Sequence, residues 1–263
     1  MPDFLPRIVS ATQRRVAASA ARTTLDALRR RAETHREPRG FAAALATPGV
    51  RVMAEIKRAS PSRGDIRADL DPADLARAYE AGGAAALSVL TEPDFFKGSA
   101  DDLTAARQAT RLPVLRKDFL LDEYQVYESA AMGADAILLI VRILTDERLS
   151  ALNRLAHDLR MDVLVEVHDE DDARRARRLD ARLVAINNRD LVRFDTDVTR
   201  APRLAAAFPP HTMLVAASGV AGADDVQRGL AAGITRFLVG EALVRAADPA
   251  ALLRSWRAAG ASP

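Results

Sequence analysis

The 263-residue chain contains no cysteine. That absence excludes disulfides, thiolate-bound metals and cysteine nucleophiles. Lysine is nearly absent too: of 38 basic residues only Lys57, Lys97 and Lys117 are lysines, and the rest are arginines. The four histidines, at 35, 157, 168 and 211, are scattered without metal-ligand spacing, so neither a metal nor a cofactor is expected. The chain has no dinucleotide fingerprint, no P-loop and no G-x-S-x-G elbow. It has no apolar run near the ~18 residues of a membrane span. The N-terminus, MPDFLPRIVSATQRR, lacks an apolar secretory core and a cleavage site, so a cytoplasmic protein is expected. A formal charge of +2 gives no general attraction to nucleic acid or membrane.

What is present is ordinary globular composition, 49% hydrophobic and 28% charged, long enough to bury a core without covalent staples. Leu5, Ile8, Val9, Thr12 and Val16 recur at helical spacing, which predicts an amphipathic N-terminal helix with a solvated arginine face. From residue 50 onward, eight short apolar runs alternate with helical patterns. They are Val50–Ile56, Ala85–Leu90, Pro113–Arg116, Ala134–Val141, Asp162–Val167, Leu183–Asn187, Met213–Ala217 and Thr235–Val239. Several are almost wholly apolar, as parallel strands covered on both sides must be. A repeated joint closes three helices just before a strand, with Gly83, Gly133 and Gly233 expected in the left-handed position. Eight such units point to a (β/α)8 TIM barrel in the α/β class, read as one domain over 1–263. Residues 1–48 form a helical extension packed on it. A doubly wound sheet is the alternative, but it gives no common role to the strand ends.

Those ends are polar. Run 1 closes AEIKRASPSRG, placing Glu55 and Lys57 on one face, and Met53 precedes them toward the barrel interior. Run 3 closes LRKDF, with Lys117 and Phe119 on one face. Run 5 closes LVEVH, with Glu166 sharing a face with Leu164 and His168. Run 6 closes INNRDL, with Asn187 and Arg189 together. In barrels the C-terminal strand ends carry the chemistry. A lysine ammonium can be tuned by its surroundings, whereas arginine stays charged. Lys57 and Lys117 are therefore candidate proton donors, while Lys97, in the polar loop FFKGS, reads as a surface residue. Ser218-Gly219 after run 7 and Gly240-Glu241 after run 8 fall where barrels bind phosphate, next to a short helix starting near Gly240. Arg189 and Ser60-Pro61-Ser62 form a second anion subsite, and Phe96, Phe119, Ile137 and Leu139 an apolar wall for a ring. The residues alone give a metal-free acid–base barrel acting on a phosphorylated, sugar-like substrate.

These motifs resemble those of the indole-3-glycerol-phosphate synthase family. AEIKRASPSRG, LTEPDFFKGS, LRKDF, LVEVH and INNRDL occur in the family's order and at similar spacing, across essentially the whole chain. The chain stops soon after its last helix, so the isomerase barrel fused in some members is not expected. The resemblance implies ring closure, decarboxylation and dehydration of 1-(2-carboxyphenylamino)-1-deoxyribulose 5-phosphate in tryptophan biosynthesis. It implies Lys117 as general acid and Lys57 as anion contact and second donor. Glu55 and Glu166 would be base or relay. It implies Ser60, Pro61, Asn187, Arg189 and Leu191 at the anthranilate end, with the aromatic wall, and Ser218, Gly219, Gly240 and Glu241 at the phosphate. The expected partner is the small-molecule substrate, with the chain a monomer or weak homo-oligomer. One position departs from the family: Ala217 stands where glutamate usually precedes the Ser-Gly. Glu241 is expected to turn its carboxylate away from the phosphate. A lysine Schiff-base aldolase and a non-catalytic phosphosugar-binding barrel are the other readings of the same residues.

Overall fold

The computed structural model describes residues 4–34, 37–190 and 195–259. Eight parallel strands form a closed barrel: β1 Arg51–Ile56, β2 Ala86–Leu90, β3 Val114–Lys117, β4 Ala136–Ile140, β5 Asp162–Val167, β6 Leu183–Asn187, β7 Met213–Ala217 and β8 Arg236–Val239. Each strand pairs with its successor, and β8 pairs with β1 to close the ring. Every strand lies within two residues of the apolar run that marks it in the sequence. Helices separate the strands, and Asp71, Ser99, Asp122, Thr145 and Asp169 cap five of them by accepting backbone N–H bonds. Gly83, Gly133 and Gly233 have φ of 81°, 88° and 75°, the left-handed geometry their joints require.

Strand alternation divides the core in two. Ala54, Ile56, Val89, Ile137, Leu139, Val165 and Ile186 face outward and pack among the helices. Met53, Leu115, Leu138, Ile140, Leu164, Ala185, Val215 and Leu238 fill the barrel interior. Three helices precede the barrel, α1 Phe4–Arg22, α2 Leu25–Thr34 and α3 Phe41–Ala46, and the interior cluster continues into α1 through Phe4 and Ile8 and into α3 through Phe41 and Leu45. Phe41 and Leu45 are fully buried.

Arginine is not merely the chain's surface cation. Arg116 is 3% exposed and donates to Thr91, Ser129, Asp118, Glu128 and the Gln125 carbonyl. Arg39 donates to the carbonyls of Arg107, Thr110 and Leu112. On α1, Arg15 reaches Glu92 at 3.1 Å and Asp118 at 2.7 Å, two carboxylates with no exposed side-chain surface. The face expected to be solvated thus carries an anchor. A planar fork of donors suits these multi-acceptor sites better than an ammonium does.

Candidate active site

The strand ends converge on a cavity of about 410 Å³ at the C-terminal mouth of the barrel. Parallel register sets its floor: Lys117 lies level with Leu90, Glu166 with Ile140, and Asn187 with Ala217. The Lys117 ammonium donates to Glu166 Oε2 at 2.9 Å. Asn187 Nδ2 donates to the other oxygen, Oε1, at 3.1 Å, and Asn187 Oδ1 accepts from the Arg189 backbone N–H at 3.0 Å. The Arg189 guanidinium donates to the Ser62 hydroxyl at 2.6 Å, tying the end of β6 to the loop after β1.

Burial opposes the charge on Lys117, but the carboxylates of Glu166 and Glu55 outweigh it and raise the pKa above the usual lysine value. The balance favours the ammonium form of this lysine. A free amine, which a Schiff-base mechanism needs, is disfavoured there. Burial likewise opposes the charge on Glu166, and Lys117 with His168 reverses the balance, holding its carboxyl well below the usual range.

Across the mouth, Lys57 donates to Glu55 Oε1 at 2.6 Å. This pair presses on the backbone of Gly240, where an added Cβ would sit 2.5 Å from Glu55 Oε1 and 3.1 Å from Lys57 Nζ. Glycine at 240 lets the β8 loop approach the two side chains. Ser218 and Gly219 follow β7 with left-handed φ of 66° and 78°. A Cβ on Gly219 would meet Thr196 at 2.6 Å. The short helix Glu241–Arg245 starts at Gly240. Glu241 borders the cavity, with its carboxylate 3.6 Å from Arg63 and 3.4 Å from Arg245. Two guanidiniums thus stand at this end, and neither was singled out in the sequence, although Arg63 lies in the ASPSRG run.

The apolar wall needs one correction. Phe96 and Phe119 line the cavity with ring centroids 6.2 Å apart, but Leu139 and Ile137 do not. They point outward into the helix layer, and Leu138 and Ile140 face the cavity instead. The register of an unbroken apolar run cannot be read from its own pattern, and the expectation fell on the wrong parity. Leu191 lies outside the described residues. Phe4 of α1 also lines the cavity and packs edge-on against Phe95 at 5.0 Å, a contact that helical spacing does not reveal. Ser60 and Pro61 border the mouth, and the buried Ser60 hydroxyl has no protein partner. Ala217 is on the cavity floor. Lys97 is away from it, paired with Asp65 at 2.6 Å and half exposed. Among the described residues, no group of three or more His, Asp or Glu side chains is placed to hold a metal ion. None of their helices is long and apolar enough to cross a membrane.

Fold and geometry define the class: a (β/α)8 barrel with buried lysine–carboxylate pairs lining a cavity at its C-terminal face. Solved barrels agree on the fold, including 3-hexulose-6-phosphate synthase (TM-score 0.60, 21% identity, covering 80% of this chain and 100% of that one). Thiamine phosphate pyrophosphorylase from Pyrococcus furiosus superimposes similarly (TM-score 0.61, 15% identity, 80% and 95% covered). Sequence comparison is more specific. The family profile described as indole-3-glycerol phosphate synthase matches residues 5–256. The protein of that name from Desulfosudis oleivorans is 53% identical over 258 residues, covering 97% of this chain and 98% of that one. The one from Leptothrix cholodnii is 48% identical over 257 residues, covering 96% and 98%. The chain belongs to the indole-3-glycerol phosphate synthase family.

Proposed function

We infer that the chain acts as an indole-3-glycerol-phosphate synthase, a carboxy-lyase of tryptophan biosynthesis. It converts 1-(2-carboxyphenylamino)-1-deoxyribulose 5-phosphate to indole-3-glycerol phosphate, CO2 and water. One observation carries the residue assignment: Lys117 paired with Glu166 inside a cavity with an aromatic wall and cationic groups at opposite sides.

In this reading Lys117 protonates the ketone oxygen as the carboxylate-bearing ring carbon attacks the ketone carbon. Its ammonium sits in a partly desolvated site, where charge developing on that oxygen is strongly stabilised. Carbon dioxide then leaves with restoration of the aromatic ring. Dehydration follows, with Lys57 protonating the departing hydroxyl and Glu55 or Glu166 accepting the proton lost from the neighbouring carbon. Phe96, Phe119, Leu138 and Ile140 sandwich the ring, while Arg189, Asn187, Ser60 and Pro61 hold the anthranilate carboxylate. Backbone N–H groups at Ser218, Gly219, Gly240 and Glu241 take the phosphate, with Arg63 and Arg245 drawing the Glu241 carboxylate aside. We place the enzyme in the cytoplasm as a single-domain barrel, without a nucleic-acid or membrane partner. Incubation of purified protein with the anthranilate substrate tests the reading: formation of indole-3-glycerol phosphate and CO2 is expected, and absence of both products overturns it.

A further inference from the structure

Behind Glu166 lies a titratable side chain that does not line the cavity and that the proposed reaction does not use. The His168 ring is 2% exposed, between Glu166 at 1% and Asp172 at 4%. Its Nε2 is 3.3 Å from Glu166 Oε1 and its Nδ1 is 3.4 Å from Asp172 Oδ2. Both ring nitrogens are buried, and neither is aligned for a full hydrogen bond. Asp172 is fixed in turn. Its Oδ2 accepts from the His168 backbone N–H at 3.0 Å and from Arg142 Nε at 3.3 Å. Arg142 also reaches Asp169, which is half exposed, at 2.9 Å. From cavity to surface the groups run Lys117, Glu166, His168, Asp172, Arg142, Asp169, and their charges alternate if the imidazole is protonated.

A neutral imidazole fits this place poorly. It would turn a lone pair toward one of two buried carboxylate oxygens only 3.3 and 3.4 Å away, a repulsive contact that an N–H on both ring nitrogens removes. Burial and Arg142 work against the charged ring, but Asp172 and Glu166 outweigh them and push its pKa above the ordinary histidine value. No other titratable side chain is among the main influences on the ring.

We propose that His168 is a positioning residue that acts on catalysis through Glu166: as an imidazolium clamped by Asp172, it keeps Glu166 anionic, aims it at Lys117 and limits its basicity. The proposal rests on the assignment of Lys117 as general acid. When Lys117 gives its proton to the ketone oxygen, Glu166 loses its principal counter-charge. The cation behind it then holds the carboxylate in place and keeps it from competing for that proton. Without the imidazolium, Glu166 becomes more basic and grips the Lys117 proton more tightly. Both groups then titrate at higher pH.

The test is the pH dependence of kcat and kcat/KM for His168→Gln and Asp172→Asn, alongside imidazole proton titration of the wild-type enzyme by NMR. For His168→Gln, both limbs of the profile are expected to move upward by about one pH unit, with kcat at neutral pH down about tenfold and KM within about twofold. Asp172→Asn, which lowers the histidine pKa, is expected to give the same displacement at pH values where its imidazole has become neutral. Profiles superimposable on wild type in a folded variant overturn the proposal, as does a loss of activity with both limbs unmoved, which a packing role alone would give. If His168→Gln does not fold, the NMR titration decides with Asp172→Asn: a wild-type imidazole titrating below 6.5 overturns the assignment. Wild-type turnover is measured in the same series, so failure of the proposed reaction is distinguishable from failure of the His168 role.

Discussion

Leu139 and Ile140 are neighbours on β4, yet the two serve different parts of the molecule. Leu139 is fully buried among the outer helices, whereas Ile140 lines the cavity. Leu139→Ala is therefore expected to lower stability by about 2–5 kcal/mol while leaving KM within about twofold. Ile140→Ala is expected to raise KM more than it lowers stability. Urea denaturation paired with steady-state kinetics checks both, and a reversal of the two patterns would contradict the assigned facing. The same strand shows where sequence reading stops. Glu55, Lys57, Lys117, Glu166, Asn187 and Arg189 were legible because a charged or polar side chain at the end of an apolar strand is costly without a partner. The facing of AILLI was not, because every residue in it is apolar. Arg63 and Arg245 were hidden by the abundance of arginine, and His168 shared a legible face with Glu166 but gave no sign of its partner Asp172.

Helix α1 shows the same limit one level up. Its amphipathic spacing predicted a helix, and α1 forms over Phe4–Arg22. The spacing did not predict that Arg15 would cross to Glu92 and Asp118, the latter adjacent to Lys117 in the chain. Asp118 retains Arg116, Thr91 and the Phe119 N–H as partners, whereas Glu92 caps the following turn with three backbone N–H bonds. Arg15 is partly exposed, so its loss weighs less than that of a fully buried pair. Arg15→Ala is expected to cost about 2 kcal/mol, and Arg15→Lys to restore only part because one ammonium replaces a two-armed fork. It is also expected to lower kcat through the loosened Lys117–Asp118 turn. Denaturant midpoints and kcat check this, and a variant identical to wild type in both would remove α1 from the support of the site. The barrel was legible at this scale because eight strand signals and three glycine joints are local features. The docking of α1 depends on long-range ion pairs, which local patterns do not encode.

Across the whole molecule, the buried charges predict the response to acid. For Asp118, burial is outweighed by Arg116 and Arg15, and for Asp172 by His168 and Arg142. Both carboxyls, like that of Glu166, titrate below their ordinary values. Depressed carboxyls contribute stability that is present above their unfolded pKa values, about 3.9 for Asp and 4.3 for Glu, and lost as pH falls through the folded ones. His168 acts with the opposite sign. Its raised pKa contributes stability below about 6.5, and this is lost as pH rises through the folded value. Thermal unfolding against pH is expected to show a Tm maximum on the mildly acid side of neutrality and a steep fall below about pH 4. Asp118→Asn is expected to blunt that acid fall, and a Tm that is flat down to pH 3 would contradict the assigned charges.

The proposed function turns on one acid, the Lys117 ammonium, and the substitution that isolates it keeps the charge and removes the proposed proton donor. In Lys117→Arg the cation opposite Glu166 remains, but a guanidinium holds its proton too tightly to act as the acid. The decisive measurement is kcat/KM for indole-3-glycerol phosphate formation by Lys117→Arg and wild type at neutral pH. A loss of about 10² to 10⁴ in the folded variant is expected for removal of a positioned general acid. A value within a few-fold of wild type would show that a positive charge at this strand end is sufficient and that Lys117 is not the proton donor.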